Sequence, residues 1–506
     1  MAVLPILDTS PAPWLGSPLI VALLLVWLAR TLTANREARE QKRAHTLDDA
    51  EALIENGLHE KAAAILPHVR DGVDRERGAE GLARSARWHL AWGECRAEAG
   101  AFADARTALE TALRTSAQAG EPHTTLLRIR ARTELAFLGL SGAGISDEAL
   151  GRAAEMLKDE QAITDPLALG RLAWLALRLG QAEHTLGRWE AARAHFSDAL
   201  RIALRVDPPS SNTAQFGWAL EKQLRRWANA RAAGAFAALT LGQVLASVGD
   251  QDGSRTWLDR AIAALEGPEH MITHHARAMV SLERARLEPA GALSGPARSA
   301  SWYEAAVREG IACGLPNGRL LACQADLELA AQFMTLDDPV HALGHARRAA
   351  EHLKTLPADA VGPIALEARL AIGAALAETA ETDKARQTLR EVLETGRTSW
   401  HPDARRHAAV AAWRLFFVLL EDDQLADAGQ ALAALEQLVP GLAPVPRPFF
   451  AALAKHLRGV LGLREARIDE ARRMLESAEA SARALGGGAA ADLARAAAAG
   501  RGQAAA

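Results

Sequence analysis

Cysteine and tyrosine are scarce in this chain of 506 residues, which has three cysteines and a single tyrosine, Tyr303. The three cysteines are odd in number and none stands in a CxxC spacing, which argues against a disulfide framework and against a structural zinc site. We expect buried, inert thiols at Cys95, Cys313 and Cys323, as in a protein of a reducing compartment.

Aromatic residues make up only 5% of the chain, and β-branched runs are rare beside abundant alanine, leucine, arginine and glutamate. This composition argues against a β-rich fold and predicts an all-α protein. A net charge of −4 without a long basic face argues against nucleic acid as a partner. Because 506 residues exceed one ordinary core, we expect several domains or one elongated repeat protein.

Charge is absent between Asp8 and Arg30, where residues 17–29 read SPLIVALLLVWLA. A segment that is apolar on every side predicts one transmembrane helix over residues 14–32, with tryptophans at the two membrane interfaces. The predicted anchor residues are Trp14, Pro18, Leu19, Ile20, Val21, Leu23, Leu24, Leu25, Val26, Trp27 and Leu28. A cleaved signal peptide and a buried core helix remain as alternatives, although the leading residues lack the basic charge of a signal peptide.

Five basic residues follow the predicted span and none precedes it; they are Arg30, Arg36, Arg39, Lys42 and Arg43. The positive-inside rule therefore predicts a single-pass topology. The N-terminal tail, residues 1–13, would lie outside, and the basic juxtamembrane segment 33–46 and the remaining chain would lie in the cytoplasm.

A small residue recurs at intervals of 43 to 45 residues with one exception, and a large apolar residue follows it four positions later in eight of its ten occurrences. The small residue stands at Ala62, Ala105, Ala149, Ala192, Ser254, Ser299, Ala342, Ala385, Ala428 and Ala471. Glycine stands twelve residues upstream in five repeats, at Gly93, Gly180, Gly242, Gly373 and Gly459. Such a period predicts a solenoid of helical hairpins, in which the glycine and the alanine mark the close crossing of two helices.

Two units carry the full set of small and large positions: Gly93, Gly100, Phe102, Ala105, Leu109 and Ala112, then Gly180, Gly187, Trp189, Ala192, Phe196 and Ala199. In these residues the chain resembles the tetratricopeptide repeat family, in a long variant similar to those of bacterial regulators. The resemblance implies a right-handed superhelix of about ten hairpins with a concave groove that binds protein segments, and it implies no catalysis.

The predicted organisation is repeats 1–4 over residues 47–205, repeats 5–10 over 233–485 and a frayed, low-complexity tail over 486–506. The irregular segment 206–232 breaks the period, and its residues Phe216, Leu220, Leu224 and Trp227 share one helical face. This segment is interpreted either as an extended first helix that covers its neighbours or as a docking face for a partner or membrane.

Recognisable catalytic motifs are absent: the chain has no glycine-rich phosphate loop. His270 with His274, and His341 with His345, lie one helical turn apart, but neither pair has a nearby third metal ligand. The sequence therefore predicts a protein that is not an enzyme, with no cofactor, no metal and no small-molecule substrate.

The resemblance implies that the first helix of each hairpin lines the groove. The predicted groove residues are Trp174, Leu177, Gln181, His184, Phe236, Leu239, Gln243, Trp413, Phe417 and Leu420. The alternative is that part of this groove wall is buried between hairpins. Because the groove residues are mostly apolar and neutral, we expect a partner helix or extended segment with apolar anchors. The leading hypothesis is a membrane-anchored scaffold or adaptor for protein partners. The alternative is a sensor or regulatory arm of a signalling or envelope-assembly complex.

Overall fold

The computed structural model describes residues 46–55, 58–74, 76–120, 124–141, 145–158, 163–209, 218–288 and 295–505. These ranges contain 21 α-helices and no β-strand, which confirms the predicted all-α class. The predicted anchor 14–32, the tail before it and all but the last residue of the basic segment 33–46 lie outside the described residues. Within the described ranges, no helix combines the length and the apolar character needed to cross a bilayer.

The chain divides into two compact units, Met1–Met156 and Leu157–Ala506. The described part of the first unit consists of three helical hairpins, α1/α2, α3/α4 and α5/α6, the last helix of which runs two residues past the division. The helices are α1 (Leu47–Glu55), α2 (His59–Asp74), α3 (Gly78–Glu98), α4 (Phe102–Ala119), α5 (Thr125–Ser141) and α6 (Asp147–Lys158).

The second unit continues the same pattern through seven more hairpins, each made of a first helix (A) and a second helix (B). They are α7 (Pro166–Thr185), α8 (Trp189–Leu204), α9 (Trp218–Ser247), α10 (Gln251–Ala264), α11 (Met271–Arg286), α12 (Gly295–Ala312), α13 (Pro316–Thr335), α14 (Pro339–Leu353), α15 (Ala358–Glu378), α16 (Thr382–Thr398), α17 (Pro402–Glu421), α18 (Leu425–Leu438), α19 (Arg447–Arg464) and α20 (Ile468–Leu485). A final helix, α21 (Gly488–Ala505), follows the last hairpin.

Close helix crossings explain the small residues of the repeat. A Cβ atom placed on Gly180 would lie 2.7 Å from ring carbons of Phe196 on the neighbouring helix, and one on Gly93 would lie 2.7 Å from Leu109. Leu258 faces Gly242, and Leu389 faces Gly373, in the same way. The alanines on the B side are fully buried: Ala105, Ala192, Ala342, Ala385, Ala428 and Ala471. The small residues therefore permit the close approach that the repeat pattern predicted.

In seven of the hairpins the turn contains a residue in the left-handed backbone region, five positions before the signature alanine or serine. Gly100, Gly187 and Gly249 occupy it with φ of 74 to 88°, whereas Asp337, Ala380, Asp423 and Ala466 occupy it with φ of 56 to 59°. The next backbone N–H reaches back five residues, as from Arg188 to the carbonyl of Glu183 at 2.9 Å. This is the Schellman ending of a helix, and later repeats form it without glycine.

Within the irregular segment, residues 218–232 form the first turns of α9, which is 30 residues long, and residues 206–209 lie outside any helix. Trp227 is 1% exposed and lies under Gly267, where a Cβ atom would meet its ring at 2.7 Å. Leu224 is half-buried, Leu220 is exposed and Phe216 lies outside the described residues. The sequence predicted that these residues share one helical face. Their burial differs along that face, because Trp227 lies in the core and Leu220 lies at the surface.

The C-terminal segment differs from the expected frayed tail, because α21 packs against the last hairpin. Leu493, Ala494 and Ala497 are buried, and the Arg501 guanidinium lies 3.3 Å from the buried carboxylate of Glu479. An alanine-rich segment has high helix propensity, and the open end of a solenoid exposes apolar surface that a last helix can cover.

Candidate functional site

The A helices of the second unit form its inner wall. From α7 to α17 each A helix packs on the next A helix, whereas contacts between the B helices of successive hairpins are sparse in the described residues. Elements on the inside of a curved stack lie closer together than those on the outside. We therefore call the surface of α7, α9, α11, α13, α15 and α17 that faces away from the B helices the inner wall.

Three side chains from three successive hairpins meet on the inner wall. The rings of Trp174 on α7 and Phe236 on α9 lie 5.9 Å apart between centroids, and those of Phe236 and His275 on α11 lie 6.5 Å apart. All three side chains are half-buried, so each keeps accessible ring surface. We call these three residues the aromatic row. The sequence placed two of them in the groove and missed His275, because the repeat that contains it is degenerate.

The aromatic row carries no charge. Burial lowers the pKa of His275, and its Nδ1 has no hydrogen-bond partner within the described ranges, so the imidazole is neutral at physiological pH. Nearby on α7, the side chain of Gln181 accepts a hydrogen bond from Arg178 at 3.4 Å, and Gln243 on α9 is exposed. The row thus offers flat aromatic surface bordered by neutral amides, which suits an apolar anchor better than a carboxylate.

A second aromatic group lies on α17, at the other end of the inner wall. Trp413 and Phe417 are half-buried, and Phe417 stands edge-on to the core residue Phe416 at 5.4 Å. The indole Nε1 of Trp413 is buried without a hydrogen-bond partner in the part of the chain that the structure describes. The Arg414 guanidinium lies 5.4 Å from the ring centroid of Trp413, within cation–π distance. We call Trp413 and Phe417 the α17 aromatics.

Three predicted groove residues lie in the core instead. Leu177, Leu239 and Leu420 are only 2%, 4% and 7% exposed, so the groove prediction does not hold for them. Each lies three residues after an aromatic position of the same helix, which turns its side chain toward the B helix. His184 is exposed near the hairpin turn, 6.1 Å from the Trp189 ring between centroids.

The histidine pairs singled out by their spacing have protein partners. His270 caps α11 by accepting a hydrogen bond from the backbone N–H of Ile272 at 3.2 Å, and His274 lies 2.7 Å from Glu309. His341 lies 2.7 Å from Asp338, and His345 lies 2.8 Å from Asp326. No group of three or more histidine, cysteine, aspartate or glutamate side chains in the described ranges is arranged to hold a metal ion.

A buried carboxylate, Asp326, joins α13 to α14 and is fully enclosed. Its oxygens lie 2.8 Å from His345 Nδ1, 2.7 Å from an Arg348 nitrogen and 3.0 Å from His352 Nε2. Burial by itself raises the pKa of Asp326, but the three hydrogen bonds outweigh it and hold this pKa at about 2.

The Asp326 cluster stabilises the hairpin, because each of the two oxygens of the buried Asp326 carboxylate has a hydrogen-bond partner on α14. Sequence reasoning missed it. The available signal was the spacing of His345, Arg348 and His352, which places three donors on one face of α14.

The described hairpins cross at their small residues, in the arrangement that the repeat signature predicted. No family model and no curated protein matches the chain.

Solved structures with low sequence identity are similar to it. The apo form of RapI is 12% identical, with coverage of 74% of this chain and 98% of that chain and a TM-score of 0.46. A signal transduction ATPase with a tetratricopeptide repeat sensor, from Pyrococcus horikoshii, is 14% identical over 80% of this chain and 55% of its own, with a TM-score of 0.44. The apo quorum sensor NprR from B. thuringiensis is 11% identical over 78% of this chain and 97% of its own, with a TM-score of 0.39.

Proposed function

We propose that this protein is a scaffold or adaptor that binds a partner protein segment along the inner wall of its second unit. The observation that carries the proposal is the aromatic row, in which three successive hairpins present accessible, uncharged rings within 5.9 and 6.5 Å of one another. Aromatic side chains held by rigid helices bind a partner at low entropic cost, because few rotatable bonds are immobilised.

The chemistry of the inner wall defines the partner segment. An apolar helix or extended strand would place a leucine, isoleucine or aromatic anchor against Trp174 and Phe236, and its backbone or polar side chains could reach Gln181 and Gln243. The α17 aromatics provide a second apolar contact for a longer segment.

Site-specific photo-crosslinking in living cells tests this proposal. A photoreactive amino acid at Gln243, which is exposed beside the row, should form a covalent adduct with the partner, and one at exposed Thr256 on the outer helix α10 should not. The double variant Trp174→Ala, Phe236→Ala should abolish the Gln243 adduct and weaken binding of the identified partner by at least about tenfold. The matched control is Trp257→Ala, which removes a tryptophan from the B helix α10, outside the inner wall.

Circular dichroism must first show that the double variant remains folded. Undiminished crosslinking at Gln243 in a folded double variant would place the partner on surfaces other than the aromatic row. An adduct at Thr256 but not at Gln243 would place the partner on the surface formed by the B helices.

We further propose that residues 14–32 anchor the chain in a membrane, with the N-terminus outside and the repeats in the cytoplasm. The basis is the uncharged run of residues 9–29 followed by five basic residues. Confinement to a membrane raises the effective concentration of the inner wall near other membrane proteins.

Protease added outside intact spheroplasts tests this topology. It should leave the repeat body whole, and lysis of the same spheroplasts should expose the body to digestion. Digestion before lysis would contradict the proposed orientation. Recovery of the protein in the soluble fraction after lysis would contradict the proposed membrane anchor.

A further inference from the structure

The two most exposed large apolar side chains in the described part of the chain lie in successive loops at one edge of the second unit. Trp400, in the loop before α17, is 84% exposed, and Val445, in the loop before α19, is 90% exposed. Both loops join a B helix to the next A helix, so they project from the same edge of the solenoid. We call these two residues the apolar tip.

The loops that carry the apolar tip are held firmly beneath it. Arg405 donates through Nε to the carbonyl of Ser399 at 2.9 Å, and its guanidinium also lies beside Gly441 of the following loop. Arg447 donates two hydrogen bonds to the carbonyl of Leu442, and Leu442 is itself 1% exposed. The backbone below Trp400 and Val445 is therefore anchored while their side chains project into solvent.

Prolines stiffen these loops further, since Pro402 follows the first and Pro440, Pro444 and Pro446 lie in the second. Proline restricts the backbone before any binding event, which reduces the conformational entropy lost on binding. A rigid, protruding pair of apolar side chains suits insertion into a soft, flat partner better than it suits enclosure in a pocket.

Positive charge predominates near the apolar tip, although Arg397 is paired with Glu394 at 3.0 Å. Residues 394–407 and 439–449 together contain four arginines and two carboxylates. The arginines are Arg397, Arg405, Arg406 and Arg447, and the carboxylates are Glu394 and Asp403. Arginine beside an exposed tryptophan complements the surface of an anionic bilayer, because tryptophan prefers the headgroup region and guanidinium groups bind lipid phosphates.

We propose that the apolar tip docks on an anionic lipid bilayer, with Trp400 and Val445 in the headgroup region and the exposed side chains of Arg406 and Arg447 against lipid phosphates. This contact is separate from the proposed N-terminal anchor and from the aromatic row, since it uses neither. It would hold one edge of the second unit against the membrane and leave the inner wall free for a partner.

A fluorescent label at Val445 tests the contact in the full chain. The three native cysteines are at most 3% exposed, so an environment-sensitive NBD label reacts with the introduced thiol of Val445→Cys. Vesicles of phosphatidylcholine mixed with phosphatidylglycerol should shift the NBD emission to the blue, and added salt should reverse the shift. The control is Val340→Cys, 68% exposed at a hairpin turn on the opposite edge, where no shift is expected.

Adding Trp400→Ala to the labelled protein should raise the lipid concentration required for the half-maximal shift by about tenfold. No shift at Val445, an equal shift at Val340, or an equal shift with phosphatidylcholine alone would each overturn the proposal. A shift without lipid that grows with protein concentration would identify a second copy of the chain as the occupant. Protease protection and Gln243 crosslinking test the other proposals separately.

Discussion

Helix α7 contains two buried glycines, Gly170 and Gly180. If close helix crossing is the reason for the repeat signature, replacement by alanine should change the stability of the hairpin in opposite directions at these two positions. Gly180 lies at the crossing with α8, where an added Cβ would be 2.7 Å from two ring carbons of Phe196 and 3.2 Å from the carbonyl oxygen of Ala192. Gly170 lies two and a half turns earlier, and a Cβ there would meet Ala230 at 3.5 Å, an ordinary contact distance.

The expected magnitudes follow from two opposing effects. Alanine in place of helical glycine stabilises by about 1 kcal/mol, because it restricts the unfolded backbone. Overpacking a close crossing costs about 1 to 3 kcal/mol, since Phe196 is fully buried and cannot move aside freely. Gly180→Ala should therefore destabilise the hairpin by up to about 2 kcal/mol, and Gly170→Ala should stabilise it by up to about 1 kcal/mol.

Hydrogen exchange measured on peptides from α7 and α8 is the suitable assay, because stability in a repeat protein is local and global unfolding of 506 residues is not a two-state process. Exchange in these helices should become faster in Gly180→Ala and slower in Gly170→Ala. Equal protection in the two variants, or greater protection in Gly180→Ala, would refute the crossing as the reason for the glycine.

Three further effects follow from the described contacts. Ala380→Gly should stabilise its hairpin by about 0.5 to 1 kcal/mol in hydrogen exchange of α15 and α16, because Ala380 holds a left-handed φ of 59° that costs alanine more than glycine; a loss of protection would contradict the strain argument. Asp326→Asn should lower the free energy of local opening of α13 and α14, measured by hydrogen exchange at pH 7, by about 2 kcal/mol, since the folded pKa of Asp326 is about 2 against 3.8 for the free side chain. Because this pKa is lowered, its stabilisation is complete above pH 4 and is lost as the pH falls toward 2, so the gap between variant and parent should close over that window; a gap that stays constant would mean that charge is not the cause. Deletion of residues 488–506 should speed hydrogen exchange in α20 first, because α21 covers its apolar side; uniform protection in the truncated chain would show that α21 stabilises nothing.

The repeat organisation was predictable because it depends on local rules. A period of 43 residues, small residues at fixed positions and glycine at the first turns are enough to predict hairpins and their crossings. The sequence pattern is lost at hairpin turns where a residue other than glycine occupies the left-handed position. Asp337, Ala380, Asp423 and Ala466 adopt the left-handed turn conformation that glycine marks elsewhere, and no residue-type rule identifies them.

The inner wall was predictable only in outline. A helix that is apolar on several sides does not reveal which apolar residue faces the partner helix and which faces the groove. Trp174 and Phe236 project from the wall, whereas Leu177 and Leu239, one turn further along, lie in the core. The difference depends on the rotation of each A helix against its own B helix, which is set by contacts between hairpins.

The sequence by itself determined the helical class, the hairpin repeat and the small residues at the crossings, because helix propensity and periodicity act within a few turns of one chain segment. Only the tertiary structure decided that His275 completes the aromatic row, that Asp326 gathers three donors from α14, and that Trp400 and Val445 project from one edge. These groupings join residues 19 to 62 positions apart in the sequence. The aromatic row forms because successive hairpins stack at a particular angle, and that angle results from the combined contacts of all neighbouring helices rather than from any one segment. The Asp326 cluster forms because α13 and α14 pack together within one hairpin. Trp400 and Val445 share an edge because each stands in a loop from a B helix to the next A helix.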